Sequence, residues 1–433
     1  MTAPSVIDQF RKALFDGDVA ATRALLTTHE EVRAAINAPV GGFGGRPATV
    51  ARKNLPLLDV LIEFGADLNL KSDWWAGPFG LLEFDITPDE AAPLIARGAV
   101  VDIFAAAHLG MESRVRELVT GDPSLVHARG GDGKTPLHCA STVGIAEYLL
   151  SQGAVIDARD VDHESTAAQY LVRSAPDVTR LLVSRGAWVD IFMAVGLRDA
   201  ALVARCLADD PEALDHRTGL GKYRALHGGA SGIGDQRGDI YRWVFGHFLS
   251  AMDVANRLGF DEIAAQVATH ATTRQRLLAA CAAADRSTAE AIVAAEPGIV
   301  ATLTSDQRRI IADAAFASNT EAVLLMLDLG FDAREPGHER FEAIRWAAFL
   351  GNAPLVKRLL AHDPPLNTPD PTFGGTILGN CLYGACHGWG ASTGDFVTTV
   401  ALLLEAGERA RPDYFPVGIA AIDALLQQAV DRL

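Results

Sequence analysis

The chain has 433 residues, 49% hydrophobic and 21% charged, with a formal net charge of −16. It can therefore bury a large core, and it lacks the clustered Lys and Arg that a phosphate-tracking surface needs, so neither nucleic acid nor an anionic membrane is an expected partner. No run approaches the ~18 apolar residues of a membrane span.

In chain order, Met1 to Leu14 carries Asp8, Arg11 and Lys12 and no continuous apolar run, so it is not a signal peptide. Residues 1–28 are expected to form an N-terminal cap. Leu58 to Asn69, LDVLIEFGADLN, is the first clear amphipathic helix, and it ends at Gly65. The pattern returns in Ile145 to Asp157 and Val178 to Asp190, with terminal glycines at Gly98, Gly153 and Gly186. Glycine suits these sites because the residue after a helix often turns left-handed. Within these second helices Leu149, Leu150, Leu181, Leu182, Leu325 and Leu403 are expected to be buried. Cys139, Cys206, Cys281, Cys381 and Cys386 are scattered and odd in number, and four of them fit apolar helical patterns. They predict a reduced, cytoplasmic protein, and Cys381, Cys386 and His387 are too few and badly spaced for zinc. Residues 413–433 end in polar side chains and are expected to form the C-terminal cap.

Two periods are visible. Gly65 to Gly98 and Gly153 to Gly186 are each separated by 33 residues. Asp102-Ile103-Phe104 recurs as Asp190-Ile191-Phe192, and Asp122-Pro123 as Asp210-Pro211, both after 88 residues. The implied modules are about 1–100, 101–188, 189–276, 277–361 and 362–433. Pairs with little preceding loop alternate with pairs preceded by a longer hairpin-like loop. Thr135-Pro136-Leu137-His138-Cys139-Ala140, after Asp132-Gly133, resembles the ankyrin-repeat signature. Arg224-Ala225-Leu226-His227 is a looser copy, and Glu342-Ala343-Ile344-Arg345 a looser one still, with Arg where the family has His. The resemblance implies an all-α solenoid of about 13 helix pairs, with loops lining a concave face. It also implies that His138 and His227 tie adjacent loops by hydrogen bonds.

Four segments depart from small polar loop tips. The first is Asp73-Trp74-Trp75, where two adjacent tryptophans in a short loop cannot both be buried. The second is Asp160, Asp162, His163 and Glu164, whose crowded carboxylates and imidazole suit acid–base work. This segment also resembles an oxygen-rich cation site but lacks calcium-loop spacing, so no metal is expected. The third is Gly221 to His227, with Lys222 and Tyr223, followed by an irregular glycine-rich stretch from Gly228 to Tyr241, with no strand before it and no Lys-Ser/Thr after, hence no phosphate loop. The fourth is Asn380 to Asp395, an enlarged inter-helix loop with Tyr383, His387 and Trp389. Segments one, two and four are similar to loops of a group of bacterial ankyrin proteins.

The expected function is recognition of a protein partner by the concave loop tips, through Asp73, Trp74, Trp75, His163, Tyr170, Tyr223, His227 and Trp389, with Phe373 as a further aromatic. The alternative is a small-molecule binder or a cofactor-independent hydrolase, lyase or isomerase. Its catalytic candidates are Asp160, Asp162, His163, Glu164, His227 and His387. No cofactor motif is present and none is expected.

Overall fold

The computed structural model describes residues 5–83, 85–218, 240–414 and 416–431. Tyr223, Arg224 and His227, with most of the glycine-rich stretch, lie outside the described residues. All regular structure among the described residues is helical, apart from one isolated antiparallel bridge between Arg159 and Thr166. Internal contacts divide the chain into two units, one of residues 1–202 and 218–246, the other of residues 203–217 and 247–433.

In the first unit, short helices pack in antiparallel-type pairs. They are Val6–Phe15 with Val19–Thr28, Pro47–Ala51 with Leu55–Glu63, Ile103–His108 with Glu112–Gly121, and Ala167–Ser174 with Pro176–Ser184. Helices of five to ten residues are marginal in isolation. Here each gains its stability from a capped start and a buried stripe. Ser5 with Asp8, Thr87 with Glu90 and Thr166 with Gln169 form capping boxes. The stripe runs from Phe10 and Leu14 through Leu26, Leu57, Leu58 and Leu61 to Leu94. The predicted terminal glycines all turn left-handed, with φ of 94° at Gly65, 101° at Gly98, and 94° at both Gly153 and Gly186.

The 88-residue recurrence has a local cause. Asp102 and Asp190 each cap a six-residue helix, accepting the amide of Ala105 at 2.9 Å and of Met193 at 2.8 Å. These pairs carry no hairpin tip. Around the Asp102 pair the tip before it therefore reaches past it to the next tip, and a Cβ on Gly77 would stand 2.2 Å from the carbonyl oxygen of Gly130.

The second unit has its own core, from Leu277 and Cys281 through Ile311, Met326, Ile344 and Leu355 to Leu403 and Leu426. Its terminal helix Ala420–Val430 packs on Phe396–Glu405 through Ile422 and Leu426. Arg345, only 1% exposed, stands on the helix Ala343–Phe349. Its guanidinium donates to the Glu342 carboxylate at 2.6 Å, to Asn380 Oδ1 at 3.1 Å, and to the carbonyls of Gly375 at 3.0 Å and Thr368 at 2.8 Å.

Two sequence expectations need correction. Only one leucine of each Leu-Leu pair faces the core. Leu149 and Leu182 are buried, whereas Leu150 and Leu181 are half-buried, because adjacent helix positions are rotated by ~100° and the apolar stripe is narrow. Leu149→Ala should accordingly cost about 3 kcal/mol, and Leu150→Ala clearly less, in a urea melt. The enlarged loop expected from Asn380 to Asp395 is helical in its first half. The helix runs Ile377–His387, and Asn380 is a buried partner of Arg345. The loop begins at Gly388.

Candidate functional site

Four successive tips of the first unit form one continuous row. The first, around Phe43, turns on a left-handed φ of 58°. The second is a hairpin closed by Ser72 and Phe79, whose amides donate to the Phe79 carbonyl at 2.9 Å and to Ser72 Oγ at 3.0 Å, respectively. It is braced by Arg46, which donates to Asp73 Oδ1 at 2.6 Å and to the Lys71 carbonyl at 3.0 Å. The third is Gly130–Lys134, with Asp132 left-handed at φ 59°. The fourth is Asp160–Ser165, with Glu164 left-handed at φ 53°.

Each tip is stitched to the next. Phe43 packs edge-on to Trp74 at 4.7 Å between ring centroids. The Trp74 indole N–H donates to Asp132 Oδ1 at 3.0 Å. The Asp132 carbonyl accepts the amides of Val161 at 2.8 Å and Asp162 at 3.1 Å. Glu83, buried behind the row, accepts the Gly80 amide at 2.9 Å and the Gly131 amide at 3.3 Å, and takes the Lys71 ammonium at 3.0 Å. Burial pushes its carboxyl up, and Lys71 works against that shift.

The tryptophans divide as a short tip requires. Trp74 is half-buried between Phe43 and Asp132, and Trp75 is 64% exposed with its ring 5.9 Å from that of Trp74, while Phe43 is 59% exposed. The Asp160 segment is placed otherwise than expected. Asp160 is 4% exposed and His163 7% exposed, and Asp162 is buried with them. These residues are therefore packed inside the row and are not surface positions. The reason is that the peptide from Asp160 to Thr166 folds around the Asp160 carboxylate. That carboxylate accepts the amides of His163 at 2.8 Å and Ser165 at 2.6 Å, His163 Nδ1 at 3.0 Å and the Tyr170 hydroxyl at 3.0 Å. Burial alone pushes the Asp160 carboxyl up. The bonds from the His163 ring and from the Ser165 and His163 amides outweigh it and hold the carboxyl below its usual range. Tyr170, with its hydroxyl 2.8 Å from His163 Nδ1, is pushed well above the ordinary phenol range by burial and by Asp160. Glu164 points away, exposed, and only its backbone carbonyl is used, by Arg159 at 2.7 Å.

The sequence reading does not single out Phe43, Glu83, Asp132 or Lys134 as members of this row. Asp132 was read only as part of the repeat signature, yet it joins Trp74 to the fourth tip, and Lys134 lies 3.6 Å from its Oδ2. The Lys134 ammonium also sits over the rings of Phe79 at 5.3 Å and Tyr170 at 5.5 Å. Burial raises the Asp132 carboxyl, Lys134 and His163 counter that, and Asp162 and Asp160 add to it. The available signal is that Asp132 and His163 each stand three residues before a capping threonine, Thr135 and Thr166.

His138 ties neighbouring tips, as the resemblance implied. The Thr135 amide donates to His138 Nδ1 at 3.1 Å, so Nε2 carries the proton and donates to the Ser165 carbonyl at 3.0 Å. Burial pushes this imidazole down to about 4, with the Ser165 bond working against it. Below the unfolded value of 6.5 the unfolded chain binds a proton that the folded chain refuses. This histidine's contribution therefore falls by about 3 kcal/mol as pH drops from 6.5 to 4. Asp190, pushed up to about 6 by burial, carries the opposite sign, since its contribution falls as pH rises. The two offset in a global melt. The measurement is thus the His138 ring resonance, expected to be neutral with Nε2 protonated at pH 6 and to titrate near 4.

The second unit holds a separate aromatic group. Trp389, which is exposed, packs on Phe349 at 4.9 Å and Phe316 at 5.5 Å, and Tyr383 lies 4.9 Å from His387. Phe373 is exposed against Phe341 at 5.9 Å. Among the described residues no helix is long and apolar enough to cross a membrane.

The ankyrin-repeat family model matches residues 132–161, which spans the third tip, the signature helix and the helix Val143–Ser151. A 57-residue stretch is 46% identical to part of the serine/threonine-protein kinase VIK of Arabidopsis thaliana. That stretch is 12% of this chain and 13% of the relative's length.

Proposed function

We propose that the chain is an ankyrin-type recognition scaffold, starting from the ankyrin repeat at 132–161, and that the tip row of its first unit binds a protein partner. The supporting observation is that Phe43 and Trp75, two large exposed aromatics, both pack on the ring of Trp74 in a braced row. Exposed aromatics held by rigid neighbours are the usual anchors of protein interfaces. On the same reading the repeats outside 132–161 are divergent copies, about 13 pairs by the sequence period, grouped in three-pair modules, and the protein works in the cytoplasm.

Trp75→Ala should leave thermal stability within about 0.5 kcal/mol and reduce partner capture by about thirtyfold, as loss of an anchor worth about 2 kcal/mol does. Quantitative affinity capture with the wild type and the variant measures this. Equal recovery of every captured protein by both would remove the tip row from consideration.

Acid–base action on a small molecule is the second reading. The observation favouring it is the Asp160–His163 pair, a carboxylate orienting an imidazole. A metabolite thermal-shift screen tests it, since a ligand of the native state raises its melting temperature.

A further inference from the structure

Asp132, Asp162 and His163 come from two different tips, yet they present one ligand atom each within 4.8 Å of one another. Sequence spacing within the fourth tip gives no such set, because the third member arrives from the neighbouring tip. His163 is 7% exposed, and its two ring nitrogens have different surroundings. Nδ1 is held by Asp160 at 3.0 Å and Tyr170 at 2.8 Å. Nε2 makes no hydrogen bond. It faces Asp162 Oδ2 at 3.6 Å, too far for one. A buried imidazole whose far nitrogen is fixed by a carboxylate, and whose near nitrogen is unused and aimed at two further carboxylates, has the orientation of a metal ligand with its outer support already built.

We propose that Asp132, Asp162 and His163 bind a divalent transition-metal ion. One imidazole and two carboxylates form a mixed nitrogen–oxygen set that suits manganese, iron or zinc. Asp132 meets the Lys134 ammonium at 3.6 Å, and His163 lies between Asp160 at 3.0 Å and Asp162 at 3.6 Å. Ligand atoms about 2.1 Å from a tetrahedral metal stand roughly 3.4 Å apart. Asp162 and His163 are already close to that spacing, and Asp132 closes by roughly 1 Å. Asp132 keeps the Trp74 indole on Oδ1. Lys134 gives up its ion pair with Asp132 and keeps its place over the Phe79 and Tyr170 rings. The inference does not depend on the protein-partner reading.

The test uses the full chain and Mn2+ alone, an ion that thiols take up poorly. Free Mn2+ is followed by electron paramagnetic resonance, and saturable uptake of one equivalent is expected. Asp162→Asn and His163→Gln should each weaken uptake at least tenfold. Asp160→Asn, which keeps one oxygen acceptor for the tip but loses the charge that holds the imidazole, should weaken it by about 10–100-fold. Where a variant loses its helical circular dichroism, the wild type answers alone. Substoichiometric Mn2+ should broaden the amide resonances of Asp132, Asp162 and His163 before all others. No uptake, or broadening centred elsewhere, overturns the proposal.

Discussion

Arg345→Ala should destabilise the second unit by about 4 kcal/mol, measured by denaturant unfolding. The side chain is fully buried and makes four bonds, one to Glu342 and three to groups of the following segment, Thr368, Gly375 and Asn380. Truncation leaves the Thr368 and Gly375 carbonyls without this donor and Glu342 without its charge partner, and breaking a buried pair on one side costs about 3–5 kcal/mol. Arg345→His is informative beside it. Arg345 occupies the position that His138 holds in the signature repeat, and both side chains reach forward to the carbonyls of the next tip. A histidine carries two ring nitrogens against the guanidinium's five N–H donors, so the His variant should recover only part of the loss. A loss under about 0.5 kcal/mol for Arg345→Ala, the range of ordinary surface changes, would show that this network does not hold the segment.

Asp160→Ala is expected to cost the first unit about as much, again about 4 kcal/mol, because four donors converge on one buried carboxylate and each charge-assisted bond contributes about 1.5–3 kcal/mol. It carries a pH signature that distinguishes it from a cavity. The Asp160 carboxyl is held below its usual value of 3.8 in the folded chain. Its stabilising contribution is therefore complete above the unfolded value and is lost as pH falls below about 3.8, through the folded value. The gap in stability between wild type and variant should be wide at pH 6 and shrink as the solution is acidified below pH 4. A gap constant with pH would assign the loss to packing alone. Since Asp160 orders the whole fourth tip, the variant should also lose any function that depends on the row.

Much of this was legible in the sequence, for reasons of local chemistry. The helix-ending glycines announce themselves because a left-handed residue closes each second helix. The 88-residue recurrence is visible because an aspartate cap and a following apolar pair are both needed to start a helix that has no tip before it. That one of the two tryptophans is exposed follows from the shortness of their loop, but which one it is does not. What was not legible depended on contacts between tips. The burial of Asp160 and His163 comes from Asp132, Thr135, His138 and Tyr170 closing around them, and polar residues in a turn give no local sign of that enclosure. Leu150 and Leu149 are chemically identical, and only the neighbouring helix decides which faces in. The helical state of Asn380 to His387 is masked by Gly384 and by the glycine-rich residues that follow His387, although Gly384 is there to let the Phe349 carbonyl approach within 1.9 Å of where a Cβ would stand.

The helix pairs that begin at Asp102 and Asp190 contribute no tip, and that has a consequence for how such a chain changes its copy number. In an array of equivalent repeats, recombination removes or duplicates any single copy and the neighbours close up, because each repeat meets only the next. Here the copies are not interchangeable. Deleting the pair headed by Asp102 alone would change the distance that the Trp74 hairpin must cover to meet Asp132, and duplicating it would separate the two. Glycines with no clearance, Gly77 against Gly130 and Gly133 against Val161, forbid a compromise spacing. A deletion or duplication that preserves these junctions must carry the tipless pair together with the tips on either side of it, and the Asp-Ile-Phe sequence recurs after 88 residues.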